Sequence, residues 1–127
     1  MRTTILLLIS DRLVRSVVGE TLEHEGYVVV PTGDLGTAVD WLKLCTPDLL
    51  ITRTYVASMP GHEAANYLRT KCHSMHVLIL GGLLDDERLQ SRDVLACFDV
   101  FPKPYSAAQL VEKVKEVLAT VRGGTKQ

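Results

Sequence analysis

Ile5-Leu6-Leu7-Leu8-Ile9-Ser10-Asp11 decides the fold. Five consecutive aliphatic residues are what a strand covered on both faces requires. The run is too short for a signal-peptide core and far too short to span a membrane. Beyond it the period changes. Residues 11–25 place Leu13, Val14, Val17, Val18 and Leu22 on one helical face, and Gly26 ends that helix. Tyr27-Val28-Val29-Val30 reads as a second strand broken by Pro31. Asp34 then caps a helix carrying Leu35, Ala38, Val39 and Leu42, which stops before Pro47.

The second half keeps the rhythm. Leu49-Leu50-Ile51-Thr52 reads as a strand, and Gly61 opens a helix to about Cys72. Val77-Leu78-Ile79-Leu80 is a fourth strand, ended by Gly81-Gly82. A more polar helix is expected over 85–96 and a short fifth strand over 98–101. Ser106-Ala107-Ala108-Gln109 is a capping box, and it launches a helix striped by Leu110, Val111, Val114, Val117, Leu118 and Val121. One domain is expected over 1–122, with a frayed tail over 123–127. Strands alternating with helices imply right-handed crossovers and a parallel sheet. A closed eight-fold barrel needs about twice this length, so the sheet is open, doubly wound and five-stranded.

Composition narrows the function. The 127 residues carry 14 Lys and Arg against 15 Asp and Glu, a net charge of −1, so no basic excess points to nucleic acid. Hydrophobic residues at 46% are enough for a core and exclude disorder. Cys45, Cys72 and Cys97 are an odd number with no CxxC, which reads as small buried hydrophobes in a reducing cytoplasm. No GxGxxG, P-loop or nucleophile elbow is present, and neither a catalytic residue nor a membrane association is expected. His24 and His62 read as solvated helix residues. Cys72-His73-Ser74-Met75-His76 holds ligand types, but before the fourth strand it reads as a surface loop, not a metal site. Trp41 and Tyr67 are not interleaved with basic residues.

In open parallel sheets function sits at the carboxyl ends of the strands. Asp11 ends the first strand, Arg53 ends the third, and Lys103-Pro104-Tyr105 follows the fifth. With Gly26-Tyr27-Val28-Val29 and Pro47-Asp48-Leu49-Leu50-Ile51, this layout resembles the receiver domain of two-component response regulators over nearly the whole chain. The resemblance implies a flavodoxin-like sheet of order 2-1-3-4-5. It also implies an aspartate acceptor after the third strand, two acids holding Mg²⁺ after the first, a hydroxyl after the fourth, and a lysine after the fifth.

Residue by residue the sequence departs from that pattern. Ser10-Asp11 keeps one acid of the pair. The acceptor position falls on Arg53, the hydroxyl on Gly81 and the aromatic switch on Val100; Lys103 and Pro104 are retained. Taking Met59-Pro60 as the family's Met-Pro would move the acceptor to Val56. In either register no carboxylate stands between Asp48 and Glu63. Arginine cannot form an acyl phosphate and stays protonated.

The expectation is therefore a pseudo-receiver: no enzyme, no Mg²⁺, acting by phosphorylation-independent contact with a protein of its signalling pathway. Arg53 is expected to reach Asp11; the alternatives are that it turns to solvent, or binds a phosphate-containing anion with Lys103. The partner face is expected on Val100, Phe101 and Tyr105 with the 85–96 helix, a face that would equally serve a homodimer. Two other function classes stand beside this reading: a small-molecule or anion-binding regulatory domain, and an unorthodox phosphoacceptor.

Overall fold

Alternate residues of the first strand, β1 (Thr4–Leu8), face opposite sides of the sheet, and both sides are dry. Ile5, Leu7 and Ile9 join one buried cluster, Leu6 and Leu8 the other. A strand with period two can be aliphatic throughout only when both faces are covered. The computed structural model describes residues 3–80, 99–101 and 106–124, with the backbone alone for 99–101 and 120–124.

The chain continues through α1 (Arg12–His24), β2 (Val28–Thr32), α2 (Leu35–Leu42) and β3 (Leu49–Arg53). A small antiparallel hairpin follows, β4 (Tyr55–Val56) and β5 (Met59–Pro60). Then come α3 (Gly61–Arg69), β6 (His76–Leu80), β7 (Asp99–Phe101) and a last helix, α4 (Ala107–Gly124). The main sheet is parallel, ordered β2-β1-β3-β6-β7. With the hairpin set aside, this is the expected order. Val18 and Leu22 of α1 and Leu110, Val114, Val117 and Leu118 of α4 cover one face. Ala38 of α2 and Ala64, Ala65 and Leu68 of α3 cover the other. Among the described residues no helix is long and apolar enough to cross a membrane.

The helix ends follow the local chemistry of the sequence. Gly26, at φ 95°, lets the chain leave α1 in the left-handed region, and its N–H donates to Glu23 O at 3.0 Å. Asp34 accepts from the Thr37 N–H at 2.8 Å to cap α2. At α4 the capping box forms both ways: Gln109 N–H donates to Ser106 Oγ at 3.1 Å, and Ser106 N–H to Gln109 Oε1 at 2.8 Å.

Several expectations need correction. Pro31 does not break β2; it pairs with Leu7 inside the strand. The strand is an edge, and Val28 N–H points inward to Thr3 O, so two residues per repeat put the Pro31 nitrogen outward, where no ladder bond is lost. Leu13 and Val17 are not core residues: they are 74% and 58% exposed. α1 packs on the sheet through Gly19, where an added β-carbon would meet Leu7 at 3.5 Å and Val29 at 3.8 Å. That close approach centres the buried face on Val18, Gly19 and Leu22 and turns Leu13 and Val17 outward. α3 ends at Arg69 rather than near Cys72, and α4 runs through Gly123 and Gly124, which the sequence reading places in the tail. Cys72 and Met75 are buried plugs of the core, so the 72–76 segment is more than a surface loop; Cys45 is only half-buried.

Candidate functional site

At the carboxyl end of the sheet, β3 finishes at Arg53, which pairs with Leu80 of β6. The register matters. The residue ending the third strand is Arg53, and Val56 belongs to the hairpin beyond it. β3 reaches this point as a fully buried strand. Its polar member, Thr52, donates its hydroxyl to Leu8 O at 2.7 Å and so ties β3 to β1 one residue before the end.

The hairpin folds back onto the strand end. Gly61 N–H donates to Thr54 O at 2.7 Å, and a β-carbon at Gly61 would lie 1.8 Å from Arg53 O. Only a residue without a side chain can start α3 there. The hairpin turn is tight: Ala57 sits at φ 55°, a left-handed conformation uncommon for a residue with a β-carbon. Its N–H donates to Ser10 Oγ at 3.3 Å, which joins the β3–α3 and β1–α1 loops.

Asp11 is committed to α1. Its Oδ1 accepts from the Val14 N–H at 3.0 Å, as an N-cap should, and its charge suits the positive end of the helix. Among the described ion pairs none joins Arg53 to Asp11, so the expected contact between them is not made. The cap gives the carboxylate an acceptor role that needs no arginine. Arg53 itself is half-buried.

Arg15 is a participant that sequence reasoning missed. Its Nη1 donates to Ile9 O at 2.7 Å and lies 3.5 Å from Ser10 O. A basic residue in the first turn of a helix opposes the helix dipole. That mismatch was a signal in the sequence, shared with Arg12 beside it; for Arg15 the carbonyls just beyond β1 receive the charge. His62, expected to be solvated, has a buried Nδ1 that meets no hydrogen-bond partner among the described residues, and Thr54 Oγ1 is in the same position. Both residues are next in sequence to the close approach of Gly61 to Arg53.

The Pro-Asp element serves the opposite end of the sheet. Asp48 Oδ2 accepts from the Thr4 N–H at 2.9 Å, and Asp48 N–H donates to Thr4 O at 2.8 Å. It is a clamp between β1 and β3, remote from the strand-end loops. Gly81, Lys103, Pro104, Tyr105 and the 85–96 helix lie outside the described residues. Val100 and Phe101 are described as backbone, paired with Ile79 and Leu80.

Comparison with known proteins agrees with this layout. Residues 5–115 match the response regulator receiver domain. The response regulator MprA of Mycobacterium bovis is 28% identical over 119 residues, covering 93% of this chain and 51% of that protein. The chain thus spans about half the length of the curated relatives it matches. Among solved structures, the chemotaxis response regulator CheY4 of Vibrio cholerae superposes with a TM-score of 0.79 at 20% identity, over 92% of this chain and 99% of that one. A response regulator from Thermotoga maritima gives 0.76 at 23%, over 94% and 99%. At such identities the superpositions carry the fold. The match over residues 5–115 carries the family: this chain belongs to the response regulator receiver domains of two-component signalling.

Proposed function

We propose that this receiver has left aspartyl-phosphate chemistry and signals through protein contacts that do not depend on phosphorylation. The observation that carries the reading is Arg53 at the carboxyl end of β3, with no carboxylate between Asp48 and Glu63 in either register. Phosphoryl transfer to a receiver needs a carboxylate nucleophile, a hard cation to neutralise charge, and positioning groups. A guanidinium supplies none of the nucleophilicity and keeps its charge at any physiological pH.

The residues present do not suit Mg²⁺. Of the acid pair after β1, Ser10 is neutral and occupied with the Ala57 N–H, and Asp11 has one oxygen on its helix. Arg53 would set a fixed positive charge beside the ion. Mg²⁺ asks for near-octahedral oxygen ligands with at least one well-placed carboxylate, so the donor set is poor.

A signalling protein of a two-component pathway, in the cytoplasm, is the partner this reading implies. The sequence assigns the partner to residues 85–96 with Val100, Phe101 and Tyr105, and that assignment is part of the proposal. Incubation with acetyl phosphate and Mg²⁺, read by intact mass, tests the reading. The expected result is an unmodified chain, and a stable phosphoryl adduct would overturn it.

A further inference from the structure

Arg15 sits in the first turn of α1, and its guanidinium turns back over the end of β1 to reach Ile9 O at 2.7 Å. On the far side it rests against the β2–α2 loop. A β-carbon at Gly33 would stand 2.8 Å from Nη1 and 3.5 Å from Cζ, so the glycine leaves the space the guanidinium fills. Gly33 is not in the left-handed region, so its backbone does not require glycine. Ser10, whose carbonyl lies 3.5 Å from the same Nη1, accepts from Ala57 N–H through its hydroxyl. Three strand-end loops are joined in series.

We propose that Arg15 and Ser10 form a built-in latch that binds the β2–α2, β1–α1 and β3–α3 loops into one arrangement without a metal or a phosphoryl group. Arg15 is a positioning residue: it holds Ile9 and Ser10, and Ser10 holds the hairpin. Two features favour such a device. A cation in the first turn of α1 opposes the helix dipole, and for Arg15 the Ile9 and Ser10 carbonyls offset that cost. A left-handed Ala57 persists only where its surroundings over-determine it, and its amide is held by Ser10. The proposal rests on the preceding one only in taking this surface to be unswitched by phosphate.

Residue-resolved amide exchange by NMR tests it, read as the ratio of the Ala57 rate to its rate in an unstructured chain. Leu50, a fully buried residue of β3, reports global stability beside it. Ser10→Ala removes one modest hydrogen bond and should raise the ratio about fivefold. Arg15→Ala should raise it as well, although Arg15 does not touch Ala57. Gly33→Ala should do the same by displacing the guanidinium. Because both act through one contact, the Arg15→Ala/Gly33→Ala double variant should move the ratio no further than either single one. If Ser10→Ala alone moves Ala57, or if the two singles add, the latch does not exist. Phosphoryl labelling of the wild-type chain would overturn the functional reading and leave this ratio untouched.

Discussion

Gly61→Ala probes the register of the site. The new β-carbon would lie 1.8 Å from Arg53 O, 3.0 Å from Arg53 C and 3.3 Å from Thr54 O. All three are backbone atoms, so no side chain can swing aside. The start of α3 must retreat until the first distance reaches at least 3.0 Å. That movement breaks the 2.7 Å bond from Gly61 N–H to Thr54 O, worth about 1 kcal/mol. It also shifts Ala64, Ala65 and Leu68 against the sheet, and overpacking of this kind costs about 1–3 kcal/mol. The better helix propensity of alanine returns at most ~1 kcal/mol. The net expectation is a loss of about 2 kcal/mol, seen as a lower urea midpoint with unchanged slope. Gly36→Ala is the control: its β-carbon would sit 3.4 Å from Asp34 Oδ1, an ordinary contact, and the change should be neutral or slightly stabilising. Equal midpoints for the two variants would refute the packing of the hairpin onto Arg53.

Ala57→Gly should stabilise the protein by up to about 1 kcal/mol, since relief of the left-handed strain exceeds the added entropy of the unfolded chain; a lower melting temperature would contradict the φ of 55°. Asp34 is held below its usual carboxyl range, first by the Thr37 backbone N–H and then by the Thr37 hydroxyl. Its contribution is therefore present above the unfolded value of 3.8 and lost as pH falls through the lower folded value. Wild type should lose stability relative to Asp34→Asn in that acid window, and a constant difference would show the cap is indifferent to charge. Arg53→Asp alone should restore little labelling by acetyl phosphate. Adding Ser10→Asp and Gly81→Thr, once that variant is shown to be folded, should bring Mg²⁺-dependent labelling; equal labelling of the single variant would mean one substitution separates this site from activity.

The parts of the fold legible in the sequence are those where one local signal had no competitor. The aliphatic run of β1 could be satisfied only by burial on both sides, and the Ser106 box by a helix start. Where two demands met, the pattern misled. Leu13 and Val17 fit the helical stripe as well as Val18 does, and only the close contact of Gly19 with Leu7 and Val29 shows which face is inward. Pro31 reads as a breaker until its strand is known to be an edge. The two-residue strands β4 and β5 are too short to carry any period.

The site divides along the same line. Its positions could be read, because strand ends follow from strand order; its contacts could not, because each side chain had more than one use. Asp11 looks like the natural partner of an arginine at the end of the neighbouring strand. It stands equally before the first turn of a helix, where a carboxylate gains both a backbone N–H and a favourable dipole. The local contact is available as soon as α1 forms. A contact with Arg53 would require two loops and two side chains to be ordered together, at greater entropic cost. Local capping wins, and it engages one oxygen of the acid at the start of a helix. Ser10 follows the same logic: its neutral hydroxyl serves the Ala57 amide that the tight hairpin presents to it. Arg15, at the positive end of α1, is received by the carbonyls just beyond β1. Among the described residues of this strand end, Asp11, Ser10 and Arg15 are each engaged by the backbone that surrounds them.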